Sequence, residues 1–337
     1  MGRFNAIFIP GLLNDERLWY KQVQNLSDIL ISHVADITSQ DNISDLADSV
    51  LQKAPEQFIL IGLSMGGYVA LEIMRKAPQR VIGLALFDTN ARADTPEGSS
   101  NRRVAIEQSK TDFASVVDDF IPKILYPQHL DNIEIVNLIH EMADEVGKDK
   151  FYNQQTAIIN RIDSRPFLKN IECQTLIACG ADDKLTPVDM HEEMHQLIPH
   201  STLKTIENCG HLSALEKPFE VSDLIRDFVN SLTSPKNVNT VDKLQDTQGT
   251  KLNTSNSNDA SNPNNGINLQ QEDFSNSNNS NNHNENYVSN QNTPNPASIS
   301  NHKNNYNMQT NEYGNSRNSD INKQFVDKAN VEAEEKS

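Results

Sequence analysis

The stretch GLSMGGYVALEIM, residues 62–74, follows the apolar run Phe58-Ile59-Leu60-Ile61 and sets one serine, Ser64, between Gly62 and Gly66. The run before it reads as a buried strand. After it, Val69, Ala70, Ile73 and Met74 recur at helical spacing. A serine at this junction must turn sharply to face a cleft, and such a turn strains its backbone. Side chains two positions to either side would collide in the turn. Gly62 and Gly66 remove the collision, and Gly67 lets the helix pack closely. The helix N-terminus offers N–H groups and a partial positive charge to any negative charge that develops there. The pattern is the G-x-S-x-G elbow of a nucleophilic serine. Its three fixed positions are a weak signal alone; the strand before and the helix after give it weight.

Outward from the elbow, short apolar runs predict strands at Phe4–Ile9, His33–Ile37, Phe58–Gly62, Val81–Phe87, Thr175–Cys179 and Thr202–Ile206. Helical periods lie between them at Glu16–Leu26, Ile43–Lys53, Met65–Lys76, Val188–Leu197 and Pro218–Leu232. Strand–helix alternation predicts an α/β fold, a mostly parallel six-stranded sheet with helices on both faces. Ligands on such sheets bind at the carboxyl ends of the strands. From about residue 90 to 170 no strand is predicted. Phe113, Val116, Val117, Phe120, Ile121 and Ile124 recur at helical spacing, as do Ile135, Leu138, Ile139 and Met142. This interval reads as a helical cap inserted after the fourth strand; the alternative is helices that extend the core.

The composition divides the chain of 337 residues. Residues 1–232 carry the alternating pattern and suffice for one sizeable core. From Thr233 to Ser337 roughly a quarter of the residues are Asn, with much Ser and Gln and few aliphatics. Such a segment buries too little apolar surface to offset its chain entropy, so a disordered tail is expected over 233–337. The tail reads as a solvated extension; self-association through its Asn-rich tract is the alternative. Of the net charge of −17, roughly −13 falls on the first 232 residues. That argues against nucleic acid, which needs a basic footprint. It also weighs against an acidic protein partner, Arg102, Arg103 and Lys110 being the only basic cluster near the cap.

Cys173, Cys179 and Cys209 show no CxxC and no metal-like spacing, which fits a reducing compartment. The N-terminus lacks a cleavage-site pattern, and Ala6 breaks the myristoylation pattern. No run approaches a membrane span of about 18 apolar residues. A cytoplasmic protein without membrane attachment is the expectation.

A serine hydroxyl needs a base, and the base an orienting acid. Behind this kind of elbow, the acid and then the histidine follow later strands. His283 and His302 lie in the tail, and His33 falls in an early strand. His129, His140, His191 and His195 read as solvated faces, and His200 precedes a strand. His211, in ENCGHLSALEKP, follows the last strand and precedes the last helix, the position the base requires. The acid belongs to TLIACGADDKLTP, which offers Asp182 and Asp183; spacing alone does not choose between them. For the oxyanion, the N–H of Met65, directly after the nucleophile, and that of Leu12, in the loop IPGLLND, are the candidate donors.

Five stretches together, PGLLNDERLW, GLSMGGYVALEIM, LALFDTNARADTP, CGADDKLTP and NCGHLSALEKP, resemble the α/β-hydrolase superfamily. The resemblance lies nearest to small bacterial esterases of the enol-lactonase and pimeloyl-carrier-protein methyl ester esterase type. It covers residues 8–218 and none of the tail. The family's G-x-x-D-x-x-x-P pattern lays onto Gly180, Asp183 and Pro187, which favours Asp183. Where the family usually has His-Gly before the oxyanion loop, this chain has Pro10-Gly11. The family's two N-terminal strands have no counterpart, which implies six strands in place of eight. The resemblance implies a serine hydrolase with the triad Ser64, Asp183 and His211, cleaving the ester of a small acyl compound through an acyl-enzyme, with no metal and no organic cofactor. Thioesters, lactones and a carrier-protein methyl ester are alternatives on the same triad. A ligand-binding protein that retains the fold without catalysis is the non-enzyme alternative.

Overall fold

A computed structural model describes residues 2–232. The expected tail, 233–337, lies outside the described residues. In chain order the elements are β1 (Phe4–Ile9), α1 (Tyr20–Asn25), β2 (Leu30–Val34), α2 (Ile43–Lys53), β3 (Phe58–Leu63), α3 (Met65–Lys76) and β4 (Val81–Phe87). Three helices follow without a strand: α4 (Pro96–Ser109), α5 (Phe113–Ile124) and α6 (Ile133–Ile159). The sheet then resumes with β5 (Gln174–Gly180), α7 (Val188–Leu197), β6 (Ser201–Ile206), the single turn α8 (Ser213–Glu216) and α9 (Pro218–Leu232).

All five strand pairings are parallel, in the order β2-β1-β3-β4-β5-β6. β3 is buried along its whole length. Its even and odd positions feed two apolar cores on opposite faces of the sheet. Leu60, with Ile7, Leu86 and Ile177, packs under α2, α3 and α7. Ile59 and Ile61, with Phe8 and Phe87, pack under α9 and around Trp19. On α9, Val221, Ile225, Phe228, Val229 and Leu232 are buried. Each such side chain contributes about 1.5–3 kcal/mol on burial. The chain order reverses between β1 and β3, so the loops leaving these strands diverge and open a crevice at their carboxyl ends.

Three expectations shift. The second strand runs from Leu30 to Val34, not from His33 to Ile37. It is an edge strand whose exposure alternates, and Leu30 pairs with Phe4. Ile37 is buried too, but beyond the strand end and in the core under α2. The first helix opens as a 3₁₀ turn, Glu16–Trp19, capped by Asp15, and becomes α-helical only at Tyr20. The cap holds a helix that periodicity missed: α4 buries little beyond Ile106 and Ser109, so its sequence shows no stripe. Thr95 caps it and Pro96 opens it, as Pro does at a first helical turn. In α6 the helical geometry breaks at Gly147, with φ at 73°.

Candidate active site

Ser64 lies where β3 passes into α3, with φ 54° and ψ −116°. A non-glycine residue in that region stores strain and needs its surroundings to hold it. Its N–H donates to Phe87 O (3.0 Å), and its carbonyl accepts from Gly67 N–H (2.8 Å) and from Thr89 Oγ1 (2.8 Å). A Cβ on Gly62 would stand 2.5 Å from the carbonyl oxygen of Gly66, so the two ends of the turn touch backbone to backbone. A Cβ on Gly66 would strike the Ile9 carbonyl of β1, not Gly62. The second glycine therefore serves helix–sheet contact as well as the turn.

His211 follows β6 in a loop that meets the cap: its N–H donates to Ile124 O at 2.7 Å. Its Nε2 lies 2.8 Å from Ser64 Oγ, and its Nδ1 lies 2.8 Å from Asp183 Oδ2. Asp183 is buried, while Asp182 is exposed. The remaining sites of the Asp183 carboxylate are occupied. Oδ1 accepts the N–H groups of Leu185 (2.8 Å) and Thr186 (3.0 Å), and Oδ2 accepts Thr186 Oγ1–H (2.6 Å). Burial alone would lower the His211 pKa, but the charge and hydrogen bond of Asp183 outweigh it and raise the value above the ordinary 6.5. Asp183 moves the other way: burial opposes its ionised form, yet His211 and the Thr186 donors hold its pKa below the usual carboxylate value.

Leu12 borders the same cleft as Ser64. A Cβ on Gly11 would lie 3.4 Å from Ser64 Cβ, which places the loop after β1 directly against the serine. Among the described residues, the N–H groups of Leu12 and Met65 donate no hydrogen bond. Two backbone donors beside the serine are thus left unengaged, as an oxyanion would need.

The cleft has a volume of about 640 Å³. Val116, Val117, Ile139, Ala143 and Ile158 form an apolar side built by the cap. The charged lining comprises Arg92, Arg102, Arg161 and Lys123 against Asp94 and Asp119. The Arg161 side chain is only 7% exposed: it donates to Asp94 Oδ1 (3.0 Å) and stacks over the Tyr68 ring at 4.4 Å. Arg102 shares Asp94 at 3.3 Å and donates to Gln155 Oε1 at 2.9 Å. The basic cluster expected near the cap is therefore dispersed. Arg102 turns into the cleft, Arg103 is exposed and Lys110 pairs with Glu107. No group of three metal-ligating side chains occurs among the described residues, and no described helix is long and apolar enough to cross a membrane.

Several polar residues around Ser64, Asp183 and His211 were not legible as site residues. Asp88, at the end of β4, is fully buried and accepts Gly180 N–H and Ser213 N–H, each at 3.0 Å. It ties the loop before Asp183 to the segment after His211. Burial, followed by the nearby charge of Asp183, pushes its pKa up to about 8. Glu216 accepts Gly210 N–H (2.9 Å) and Leu212 N–H (3.3 Å), one on each side of His211, and pairs with His129 at 2.7 Å. His191, expected on a solvated face, is instead fully buried: its Nε2 accepts Thr89 N–H (2.9 Å), and its Nδ1 faces Pro187 O. Burial lowers its pKa to about 4, which keeps it neutral. His129, read the same way, is partly buried against Glu216.

A parallel sheet with a serine elbow between its third strand and the following helix, and a helical insertion after the fourth strand, defines a class. The chain belongs to the alpha/beta hydrolase family, whose model matches residues 7–224. Among individual proteins, it is 27% identical over 198 residues to a pimeloyl-[acyl-carrier protein] methyl ester esterase of Neisseria meningitidis serogroup A, covering 57% of this chain. The match spans 63% of that relative's length. A thermophilic esterase from Thermogutta terrifontis, determined with malate bound, is 26% identical with a TM-score of 0.64, covering 69% of this chain and 92% of that one. The enol-lactonase of Burkholderia xenovorans LB400 shares the fold at 20% identity, with a TM-score of 0.63 over 68% of this chain and 92% of its own.

Proposed function

We propose that this protein is a serine hydrolase that cleaves the carboxylic ester of a small acyl compound. The observation that carries this reading is the unbroken line Ser64 Oγ, His211 Nε2, His211 Nδ1, Asp183 Oδ2, with both links at 2.8 Å, opening on the cleft. Ser64 Oγ attacks the ester carbonyl carbon as His211 Nε2 takes its proton. Asp183 holds the imidazole with Nδ1–H toward itself and stabilises the imidazolium. The N–H groups of Leu12 and Met65 receive the oxyanion. Collapse of the tetrahedral intermediate releases the alcohol with the proton from His211 and leaves an acyl group on Ser64. His211 then deprotonates a water molecule, which frees the acid and restores the serine. The chemistry calls on no metal and no organic cofactor.

The cap's apolar side takes the acyl chain; with Arg92 paired to Glu193 and Arg161 to Asp94, it is Arg102, left with only a share of Asp94, that favours an acyl group with a polar or anionic end. Residues 1–232 form the catalytic unit in this reading. An ester carried on an acyl-carrier protein is the second reading, favoured by the similarity to the Neisseria enzyme. The net charge of roughly −13 on the first 232 residues opposes an acidic carrier. Covalent labelling tests the reading: a fluorophosphonate ester should modify the protein once, on the peptide that holds Ser64. Labelling at another residue, or none in a protein that hydrolyses p-nitrophenyl butyrate, would contradict it.

A further inference from the structure

The loop after β1 carries strain that nothing within the loop relieves. Asn14 N–H donates to Gly11 O at 3.3 Å, closing a four-residue turn. Its third residue, Leu13, has φ at 58°, while its second, Leu12, is not in the positive region. Positive φ at the third position alone marks a type II turn, where glycine or asparagine is the rule. Leucine stands there with its side chain buried in the cap, against Val116, Val117, Ala143, Val146 and Phe151. Turning over the central peptide, from Leu12 C=O to Leu13 N–H, would convert the turn to type I and return Leu13 to negative φ. The N–H of that same peptide donates to Gln154 Oε1 at 3.0 Å.

Gln154 lies on α6 beyond the break at Gly147, 141 positions from Leu13, and is fully buried. Its Nε2 faces Ile37 O at 3.5 Å, so the side chain spans from the oxyanion loop to the loop after β2. It is absent from the cleft lining and so would touch no substrate. Leu12 N–H belongs to the preceding peptide, which such a flip leaves in place, since type I and type II turns share the φ of their second residue. The flip instead redirects the Leu13 side chain buried in the cap, so the loop that carries Leu12 would have to shift against Ser64. We infer that Gln154 is a positioning residue: from the cap, it holds the Leu12–Leu13 peptide in the orientation a leucine would otherwise leave, which keeps Leu13 seated in the cap and the loop, with its Leu12 N–H, in place against Ser64. This rests on the reading of Ser64 and Leu12 given above. The cap then does more than cover the cleft, because its helix α6 completes the catalytic loop.

The test uses the full chain with Gln154→Met, which removes the acceptor at similar volume, and Gln154→Glu, which keeps an acceptor toward Leu13. The readouts are kcat and KM on p-nitrophenyl butyrate, inhibition by an alkyl trifluoromethyl ketone that forms an oxyanion on a serine, and the melting temperature. Gln154→Met should lower kcat about 10- to 100-fold with KM within about threefold, the size expected for a misaimed oxyanion donor. Affinity for the ketone should fall by the same factor as kcat/KM. A purely structural role would lower the melting temperature and leave the ketone affinity of the folded fraction unchanged. Gln154→Glu should stay within about tenfold of wild type in both readouts. The inference is overturned if Gln154→Met stays within about twofold of wild type, or if ketone affinity does not move with its kcat/KM. It is also overturned if folded Gln154→Glu falls by about 100-fold or more, whether or not the methionine variant folds. Ser64→Ala in the same assay separates the two claims. If it hydrolyses the ester at the wild-type rate, the reading of the site fails; if it is inactive while Gln154→Met is not impaired, only the role of Gln154 fails.

Discussion

Asp183 meets His211 Nδ1 at 2.8 Å with a carboxylate that is already held by two backbone N–H groups and the Thr186 hydroxyl. These donors fix the carboxylate opposite the imidazole. Its neighbour Asp182 is exposed and contributes a backbone N–H to Cys209 O. Two adjacent aspartates thus have separable roles. Asp183→Asn should lower kcat by about 10³- to 10⁴-fold, because an amide favours the wrong imidazole tautomer. Asp182→Asn should leave kcat within a few-fold of wild type. Steady-state kinetics of both variants on one ester decide it, and an inactive Asp182→Asn would contradict the assignment.

The pH profile follows from the same pair. In the proposed mechanism His211 serves as base only when neutral, and Asp183 keeps its pKa above the ordinary 6.5 against the opposing effect of burial. Activity is therefore lost as the pH falls through this raised value. Asp183, with its own pKa lowered, stays ionised across that range. The ascending limb of kcat/KM on a neutral ester should have its midpoint above 6.5 and should move to lower pH in Asp183→Asn. A wild-type midpoint at or below 6.5 would contradict the electrostatic account.

Arg102 enters the cleft with only a share of Asp94 to balance it, since Arg161 takes the other part of that carboxylate. Arg102→Met should reduce kcat/KM on monomethyl succinate about three- to tenfold, while methyl butyrate changes by less than about twofold. Equal effects on the charged and the neutral ester would mean that Arg102 serves packing and not recognition.

Much of the fold was legible because its signals are local. The fully apolar β3, the glycines around Ser64 and the amphipathic stripe of α9 each show their period within a few residues. His211 and the Asp182-Asp183 pair were legible through chain order, as the loops after the last two strands. What was not legible depends on distant partners. Gln154, Glu216 and His191 are polar residues in helical or turn segments, and in sequence they look like any solvated face. Asp88 reads as the first polar residue after a strand. Only the packing of the cap and of α7 against the sheet buries them, and that burial forces each to take a partner. The shifted β2 has a related cause: as an edge strand it alternates, and the apolar Ile37 beyond it mimics its continuation.

The buried stripe on α9 reaches Leu232, and among the described residues Ser64, Asp183, His211 and the lining of the cleft all precede α9. A chain ending at Ser234 should keep its melting temperature and its kcat/KM on a small ester. A chain ending at Val221 should not fold, because it loses Ile225, Phe228, Val229 and Leu232, each worth about 1.5–3 kcal/mol. Thermal melts of both decide it. Inactivity of the chain ending at Ser234 would move the domain boundary into the Asn-rich segment.

The central claim is that Ser64 is the nucleophile, and the turnover of p-nitrophenyl butyrate by Ser64→Ala tests it most directly. Triad members act as a unit, so kcat should fall by about 10⁴-fold or more while the melting temperature stays close to wild type. A folded Ser64→Ala protein with kcat within about tenfold of wild type would contradict the account.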